Sequence, residues 1–158
     1  MTEAEFQEYL ERSIPRLAAR WVERGLWAES RATESSRAYY ARMLPQGVQT
    51  PNHHLVRLVE TKTGRVVGEA WYSVDPEGGK TRFCIEWIWI DPACRRQGHA
   101  TEALRCLEEE ARNLGAERTE LTVWTDNPNA VALYAKLGYT TASLRMAKRV
   151  GGKDHTRR

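Results

Sequence analysis

The spacing of apolar residues changes along this 158-residue chain, and the change restricts the fold to one that mixes helices with strands. In the first part, apolar residues recur every three or four positions from Phe6 to Trp21, which predicts a helix with one buried face. Pro15 lies inside this run and predicts that the helix kinks or restarts there, whereas Gly25 predicts its end. A second helix is predicted over residues 30–44, where it stops before a proline.

In the middle of the chain the pattern is that of strands. Runs rich in β-branched and aromatic residues predict strands over residues 55–59, 65–74 and 81–90. A turn at 61–64 separates the first two strands, and a loop at 75–79 separates the second from the third. Connections this short join antiparallel neighbours, so the three strands are predicted to form a meander.

The pattern then alternates between helix and strand. An amphipathic helix is predicted over residues 100–114, closed by Gly115, and a strand is predicted over residues 119–124. Asn127 and Pro128 predict the start of another helix, because asparagine caps helix N-termini and proline suits the first helical turn.

The last part of the chain predicts two short strands, over residues 139–141 and 144–149. The order of elements is therefore α-α-β-β-β-α-β-α-β, without an internal repeat or a linker. This order indicates a single α/β domain over residues 1–150, followed by a basic, flexible tail at residues 151–158.

The charge balance argues against nucleic acid as the main partner. The formal net charge is +3, part of the excess lies in the tail, and basic residues elsewhere are interspersed with acidic ones. Salt-dependent binding of DNA through the tail remains an alternative. The odd set Cys84, Cys94 and Cys106 lacks CxxC spacing, which disfavours both a disulfide framework and a zinc site. Adjacent His53 and His54 would point to opposite faces of a strand, so no metal site is expected.

The ends and the apolar runs of the chain bear on its compartment. No apolar stretch approaches the length needed to cross a membrane. The acidic N-terminus lacks the apolar run of a signal peptide. We therefore expect a cytoplasmic protein.

The most informative segment covers residues 88–101, which lead from a strand into a helix through a loop that contains Gly98. The first amides of a helix have no internal acceptor and lie at its positive end, and a glycine lets the backbone approach a phosphate closely. Arg95 and Arg96 add charge for phosphate oxygens. The alternative is an ordinary strand–loop–helix connection with solvated arginines. A dinucleotide loop fits less well because G-x-G-x-x-G is missing, and a Walker loop is excluded because no Gly-Lys-Ser/Thr follows.

Two motifs resemble those of a known family. Arg95-x-x-Gly98-x-Ala100 resembles the Q/R-x-x-G-x-G/A signature of the GNAT superfamily of acetyl-CoA-dependent N-acetyltransferases. The motif Asn127-x-x-Ala130-x-x-Leu133-Tyr134-x-Lys136-x-Gly138-Tyr139 is similar to the second signature of that family, N-x-x-A-x-x-L-Y-x-K-x-G-F/Y. The resemblance is strong over residues 85–139 and looser elsewhere. It implies a GNAT-like mixed sheet, mostly antiparallel and flanked by helices.

The resemblance also implies acetyl-CoA as cosubstrate, without a metal. The pyrophosphate would lie on the loop amides and the pantetheine arm near Asn127, and a backbone amide at the end of the third strand would face the developing oxyanion. The residues that the resemblance assigns to the cofactor are Ile88, Trp89, Ile90, Arg95, Arg96, Gln97, Gly98, His99, Ala100, Thr101, Asn127 and Asn129.

Acetyl transfer to an amine requires a base for the amine and a proton for the departing thiolate. Glu86 lies on the third predicted strand among apolar neighbours, and the resemblance implies that it is the general base, often through a water molecule. The alternative is a carboxylate at the rim that only binds a cationic substrate. Tyr134 lies in the second signature, where the resemblance implies a proton donor to the thiolate. The alternative for Tyr134 is an aromatic ring that packs its helix against the sheet.

Together these features predict an enzyme that moves an acetyl group from acetyl-CoA to an amine of a small molecule, peptide or protein by direct transfer. The alternative is a module that binds acyl-CoA as a sensor without turnover. Most tryptophans are predicted to be core residues, although Trp71, Trp87 and Trp89 are candidates for the walls of an acceptor pocket. A tryptophan-rich sheet in so small a domain also predicts a homodimer.

Overall fold

A computed structural model describes residues 1–148 of the chain. Contacts divide the chain into a first unit, Met1–Thr122, and a second unit that starts at Val123. In the first unit the helices are α1 (Glu3–Glu23), α2 (Glu29–Met43) and α3 (His99–Asn113), with short 3-10 helices at Gly47–Gln49 and Pro92–Cys94, and the strands are β1 (His53–Val59), β2 (Val66–Glu77), β3 (Lys80–Ile90) and β4 (Ala116–Leu121). In the second unit the helix α4 covers Pro128–Lys136.

Helix α1 begins with a capping box. The Thr2 hydroxyl accepts from the Glu5 amide, and the Glu5 carboxylate accepts from the Thr2 amide. The helix continues unbroken through Pro15, so the predicted restart there is wrong. Ile14 and Leu17 are both buried, and the packing of this apolar face outweighs the single hydrogen bond that the proline cannot donate.

The sheet has the strand order β1-β2-β3-β4. The first three strands pair antiparallel, which confirms the predicted meander, and β4 returns parallel to β3 after the α3 crossover. Strand β2 continues to Glu77 through most of the loop predicted at 75–79, because its last residues pair with the start of β3. The reversal is confined to Gly78 and Gly79, whose φ angles are +58° and +80°.

The two faces of the sheet are covered by different helices of the first unit. On one face Trp71 is buried against α1 and α2. The next residue, Tyr72, points to the opposite face, where burial and then the Glu110 carboxylate of α3 raise the pKa of its phenol. Helix α3 buries Leu104 and Leu107 on its apolar side. The buried cluster on the α1 and α2 face consists of Phe6, Tyr9, Ile14, Leu17, Tyr40, Leu44, Leu55 and Trp71.

The second unit confirms the predicted helix but not the predicted strands. Residues 139–148 form no strand ladder, so the strand predicted at 139–141 and the described part of that at 144–149 are wrong. Their side chains are mostly exposed, with Leu144 and Met146 at 77% and 90%. Strand propensity alone does not make a strand when the backbone has no partner strand. The basic tail predicted at 151–158 lies outside the described residues.

Membrane-crossing character is also missing from this part of the protein. None of the helices within residues 1–148 is both long enough and apolar enough to span a bilayer.

Candidate active site

A β-bulge in β3 determines where Glu86 points. Tyr72 pairs with Ile85 and Trp71 pairs with Trp87, so Glu86 is an extra residue without an opposite neighbour on β2. The bulge reverses the alternation of side chains along β3. As a result, Glu86 and Trp87 both lie on the face that α1 and α2 cover, although they are consecutive.

Polar groups surround the carboxylate of Glu86, which is half-buried. The Ser73 hydroxyl donates a hydrogen bond of 3.0 Å to Glu86 Oε1. Burial, and then the Glu86 carboxylate, raise the pKa of the Cys84 thiol to about 12. Burial and then the same carboxylate also raise the pKa of the Tyr39 phenol, while Arg42 lowers it to a smaller extent. Glu86 is therefore an acidic group among neutral donors, and Cys84 is a protonated thiol that cannot serve as a nucleophile near neutral pH.

Strand β3 extends beyond β4. The parallel pairing ends where Ile85 meets Leu121, so residues 86–90 continue past the last β4 partner. Backbone groups on that edge of residues 86–90 have no partner in β4, and such groups require another acceptor or donor. Ile88, Trp89 and Ile90, predicted to contact the cofactor, thus provide an edge to which an extended amide-bearing chain can hydrogen-bond.

The loop that follows β3 is fixed by its own side chains. Asp91 accepts a hydrogen bond of 2.8 Å from the Ala93 amide at the start of the 3-10 helix. Arg95 turns back so that its Nε donates to the Ile90 carbonyl at 3.0 Å. Arg95 therefore also holds the loop closed, in addition to the phosphate contact predicted for it. Gln97 makes a further internal bond of 3.3 Å to the Ala93 carbonyl.

The end of the loop has the geometry of an anion site. Arg96 and Gly98 both adopt left-handed conformations, with φ of +62° and +89°, and backbone bends of this kind direct successive amides to one side. Gly98 is the N-cap of α3 and offers no side-chain acceptor to the first turn. A Cβ added at Gly98 would meet nothing within 4 Å, so the space above the loop is open.

The first turn of α3 supplies the donors. The earliest helical bond runs from the Glu102 amide to the Gly98 carbonyl at 3.1 Å, which leaves the amides of His99, Ala100 and Thr101 without a helical acceptor. These amides lie at the positive end of the helix dipole, beside the exposed Arg96. The residues present therefore fit a phosphate or pyrophosphate group.

One of the three tryptophans considered for an acceptor pocket is a core residue. Trp71 is only 2% exposed and packs in the core. The guanidinium of Arg16 lies 3.9 Å from the centre of the Trp89 ring, and that of Arg20 lies 4.6 Å from the centre of the Trp87 ring. Arginines of α1 thus already make cation–π contacts with these two half-buried rings, whose role in an acceptor pocket stays a prediction.

A buried ion pair anchors α1 on the sheet and was not identified from the sequence. Glu69 of β2 is 3% exposed, and its carboxylate lies 2.9 Å from Arg12 and 3.5 Å from Arg16. The available signal was the recurrence of arginine every four residues at Arg12, Arg16 and Arg20, which places all three on one side of α1. These contacts hold α1 above Trp89 and Trp87.

The remaining predicted residues belong to the second unit. Asn127 caps α4, because its side chain accepts a hydrogen bond of 3.2 Å from the Ala130 amide. Asn129 is exposed on the first turn of that helix. Tyr134 is half-buried, its ring meets Tyr139 edge to face at 5.7 Å, and burial raises the pKa of its phenol. Tyr134 is therefore neutral at physiological pH and able to donate a proton.

A further feature concerns metal ions. Within residues 1–148, no group of three or more histidine, cysteine or carboxylate side chains is arranged to hold a metal ion.

Ser73 and Tyr39, which lie beside Glu86, were not singled out from the sequence. Only the register of β2 with β3 and the packing of α2 bring them near it.

Comparison with known proteins agrees with this arrangement. A model of the Acetyltransferase (GNAT) family matches residues 17–139. The uncharacterized N-acetyltransferase YdgE of Bacillus subtilis is 35% identical over 150 residues, which cover 95% of each chain. A crystal structure of YycN from the same organism superposes with a TM-score of 0.88 at 29% identity, and the match covers 96% of each chain. An acetyl transferase structure from Pyrococcus furiosus, with a TM-score of 0.63 at 23% identity over 89% of this chain and 96% of that one, shares the fold. The family model covers most of the chain and the YdgE relative matches nearly its whole length, so the chain belongs to the GNAT family of acetyltransferases.

Proposed function

We propose that this protein is an N-acetyltransferase that moves an acetyl group from acetyl-CoA to an amine of a small molecule, peptide or protein by direct transfer. The observation that carries the proposal is the course of β3, which presents Glu86 at a bulge and then runs into the uncapped N-terminus of α3. A base and an anion site on one continuous segment are what an acyl-CoA-dependent transfer to an amine requires.

The chain's own residues fit the donor. When bound, acetyl-CoA supplies an acetyl group as a reactive thioester. The amides of His99, Ala100 and Thr101 and the charge of Arg96 would hold its pyrophosphate, while Gly98 keeps the approach open. The edge of β3 at 88–90, which extends past the last β4 partner, would align the arm through backbone hydrogen bonds, and the resemblance adds Asn127 and Asn129 to the contacts.

In this proposal Glu86 removes the proton that a protonated amine must lose before it can attack. The carboxylate takes the proton directly or through one water molecule. Tyr134 donates a proton to the departing thiolate, which leaves as the CoA thiol, since burial keeps the Tyr134 phenol neutral. Cys84 remains a bystander because its thiol stays protonated, which supports direct transfer over a route through an acetylated cysteine.

The proposed setting is the cytoplasm, which agrees with the three free cysteines. The expected partners are acetyl-CoA and an amine acceptor. A homodimer remains a prediction.

The proposal is tested by thiol release from acetyl-CoA in the presence of a panel of amines, which should include polyamines, amino acids and lysine-containing peptides. At least one amine should accelerate release well above the rate with acetyl-CoA alone, and mass spectrometry should show that amine gaining one acetyl group. Tight acetyl-CoA binding without acceleration by any amine would instead favour the sensor alternative.

A further inference from the structure

Ser73 has an unusual combination of burial and partner. Its side chain lies on β2 and the residue is 2% exposed, yet its hydroxyl is directed at a carboxylate, Glu86, at 3.0 Å. Its neighbours across the sheet are His53 on β1 and Cys84 on β3. The hydroxyl therefore reaches from β2 to the adjacent strand β3, where Glu86 forms the bulge.

The bulge explains why Glu86 requires such a partner. A residue in a regular ladder is held by an opposite neighbour, whereas Glu86 has none on β2. A glutamate side chain has several rotatable bonds, and ordering it costs entropy unless a specific contact selects one conformer. The bond from Ser73 engages Oε1, and the Cys84 thiol, which is also on β3, hydrogen-bonds to the carboxylate as well.

We propose that Ser73 is a positioning residue for the acetyl transfer: its hydroxyl fixes the Glu86 carboxylate at the bulge in the conformer that meets the acceptor amine. The inference rests on the proposed role of Glu86 as the base. Holding a catalytic group in its productive geometry lowers the barrier, and loss of one positioning contact is expected to slow the reaction without weakening cofactor binding.

Other charged or titratable groups also face this region, and a change at Ser73 leaves all of them in place. Cys84 and Tyr39 are close enough to Glu86 for their pKa values to respond to it, and Arg42 lies 5.9 Å from the centre of the Tyr39 ring. The groups contributed by the neighbouring elements are Arg20 of α1, Tyr39 and Arg42 of α2, His53 of β1, Arg82 and Cys84 of β3, and Glu120 of β4.

The test compares Ser73→Ala with Ser36→Ala in the full-length protein. Ser36 is a matched control, because it is equally buried and its hydroxyl also makes one hydrogen bond, of 2.9 Å, to the Ile14 carbonyl. The kinetic probe is the fastest acceptor among spermidine, lysine and a lysine-containing peptide. Ser73→Ala should lower kcat about 10- to 100-fold, with little change in the KM for acetyl-CoA.

Ser36→Ala should lose a similar amount of stability and keep the parent kcat. Ser73→Thr, which restores a hydroxyl, should return kcat toward the parent value. A kcat for Ser73→Ala that equals those of the parent and of Ser36→Ala would overturn the inference.

A second measurement does not depend on turnover. Proteins labelled with carbon-13 at the glutamate side-chain carboxyl are compared by NMR, and the Glu86 signal is identified by its loss in Glu86→Gln. Its chemical shift at one neutral pH should change in Ser73→Ala, which removes the hydrogen bond to the carboxylate, and stay that of the parent in Ser36→Ala. An unchanged chemical shift in Ser73→Ala would also overturn the inference.

The two hypotheses fail in different ways. If Glu86→Gln keeps the parent rate, the proposed base is wrong, whereas the NMR shift still reports whether Ser73 holds the carboxylate. If Glu86→Gln is impaired but Ser73→Ala matches the parent, the base stands and the positioning role is refuted.

Discussion

Glu86 and its surroundings show how single residues determine the chemistry of this site. The extra residue at the bulge turns Glu86 and Trp87 to the same face, and Ser73 and Cys84 then lie beside the carboxylate. Burial, and then the Glu86 carboxylate, raise the pKa of the Cys84 thiol to about 12, so this thiol stays protonated and is not a nucleophile near neutral pH. The surroundings of the Glu86 carboxylate thus depend on one residue of β2, Ser73, and on one further residue of β3, Cys84.

Glu86→Gln is expected to lower turnover about 10²- to 10⁴-fold at acidic and neutral pH. The acceptor amine is then charged and must lose a proton, whereas at high pH the free amine is abundant and the deficit should shrink. The measurement is kcat/KM across pH, with Glu117→Gln as the control, since Glu117 is an exposed carboxylate paired with Lys80. A deficit that stays constant up to the pKa of the amine would point to substrate binding instead of base catalysis.

Tyr134→Phe should keep acetyl-CoA affinity and lower the rate of a single turnover, because the change removes a proton donor and retains the ring. Tyr139→Phe is the matched control, as it removes a second phenol from the same unit next to Tyr134. Pre-steady-state kinetics are needed because slow product release can hide the chemical step. An unchanged single-turnover rate in Tyr134→Phe would assign the proton to water.

At the scale of elements, the backbone of the loop and of helix α3 has the geometry of the proposed anion site. Two left-handed residues, Arg96 and Gly98, precede the helix, and Gly98, its N-cap, offers the first amides no competing side chain. Arg95 holds the loop to the end of β3, and two arginines of α1 hold Glu69 and so keep α1 over the same strand. The position of the proposed anion site relative to Glu86 therefore depends on β3, which carries Glu86, and on the Arg95 contact that holds the following loop to the end of that strand.

Gly98→Val should abolish or greatly weaken acetyl-CoA binding, because the side chain would fill the open space above the amides and strain the left-handed backbone. Gly64→Val is the matched control: Gly64 has a φ of +70° and open surroundings, but it lies in the β1–β2 turn. Both variants should lose about 1–2 kcal/mol of stability, and only Gly98→Val should lose the thermal stabilisation that acetyl-CoA provides. Equal stabilisation of Gly98→Val and the parent would refute the loop assignment.

Gly68→Ala should destabilise the sheet beneath the loop. A Cβ at Gly68 would lie 2.2 Å from the Trp89 carbonyl oxygen and 3.1 Å from the Ile90 Cα, so the end of β3 would have to move. Overpacking of this kind costs about 1–3 kcal/mol. Chemical denaturation measures the loss in the free energy of unfolding. An unfolding midpoint equal to that of the parent would show that the end of β3 moves without a cost in stability.

At the scale of the whole molecule, the net charge of +3 is small and the sequence favours association through apolar surface over binding to polyanions. Val59 and Val66, opposite one another on β1 and β2, are 53% and 38% exposed. Strand β1 is an edge of the sheet in the first unit, and edge strands present backbone groups that can pair with another chain.

A homodimer is the predicted state in solution. Sedimentation equilibrium should give a mass near 36 kDa, twice the 18.1 kDa of one chain. A mass of 18.1 kDa that does not change with concentration would contradict the prediction.

The sequence by itself determined the kinds and the order of most elements and the position of the anion loop. Helical spacing, the Asn127 cap and the glycine at the start of α3 act within a few residues of chain, so they can be recognised locally. The two motifs around Gly98 and Tyr134 predicted the family for the same reason, and the comparison confirmed it.

Only the tertiary structure decided the contacts that give the site its chemistry. Polar and apolar residues do not alternate from Ile85 to Ile90, so the sequence pattern does not indicate the bulge at Glu86. Ser73 is 13 residues from Glu86 and Arg12 is 57 residues from Glu69, distances over which no periodicity acts. Packing of its apolar face also keeps α1 helical through Pro15, and residues 139–148 form no strand ladder despite their strand propensity. Local preferences select elements, whereas partners distant in the chain select register, burial and charge pairing.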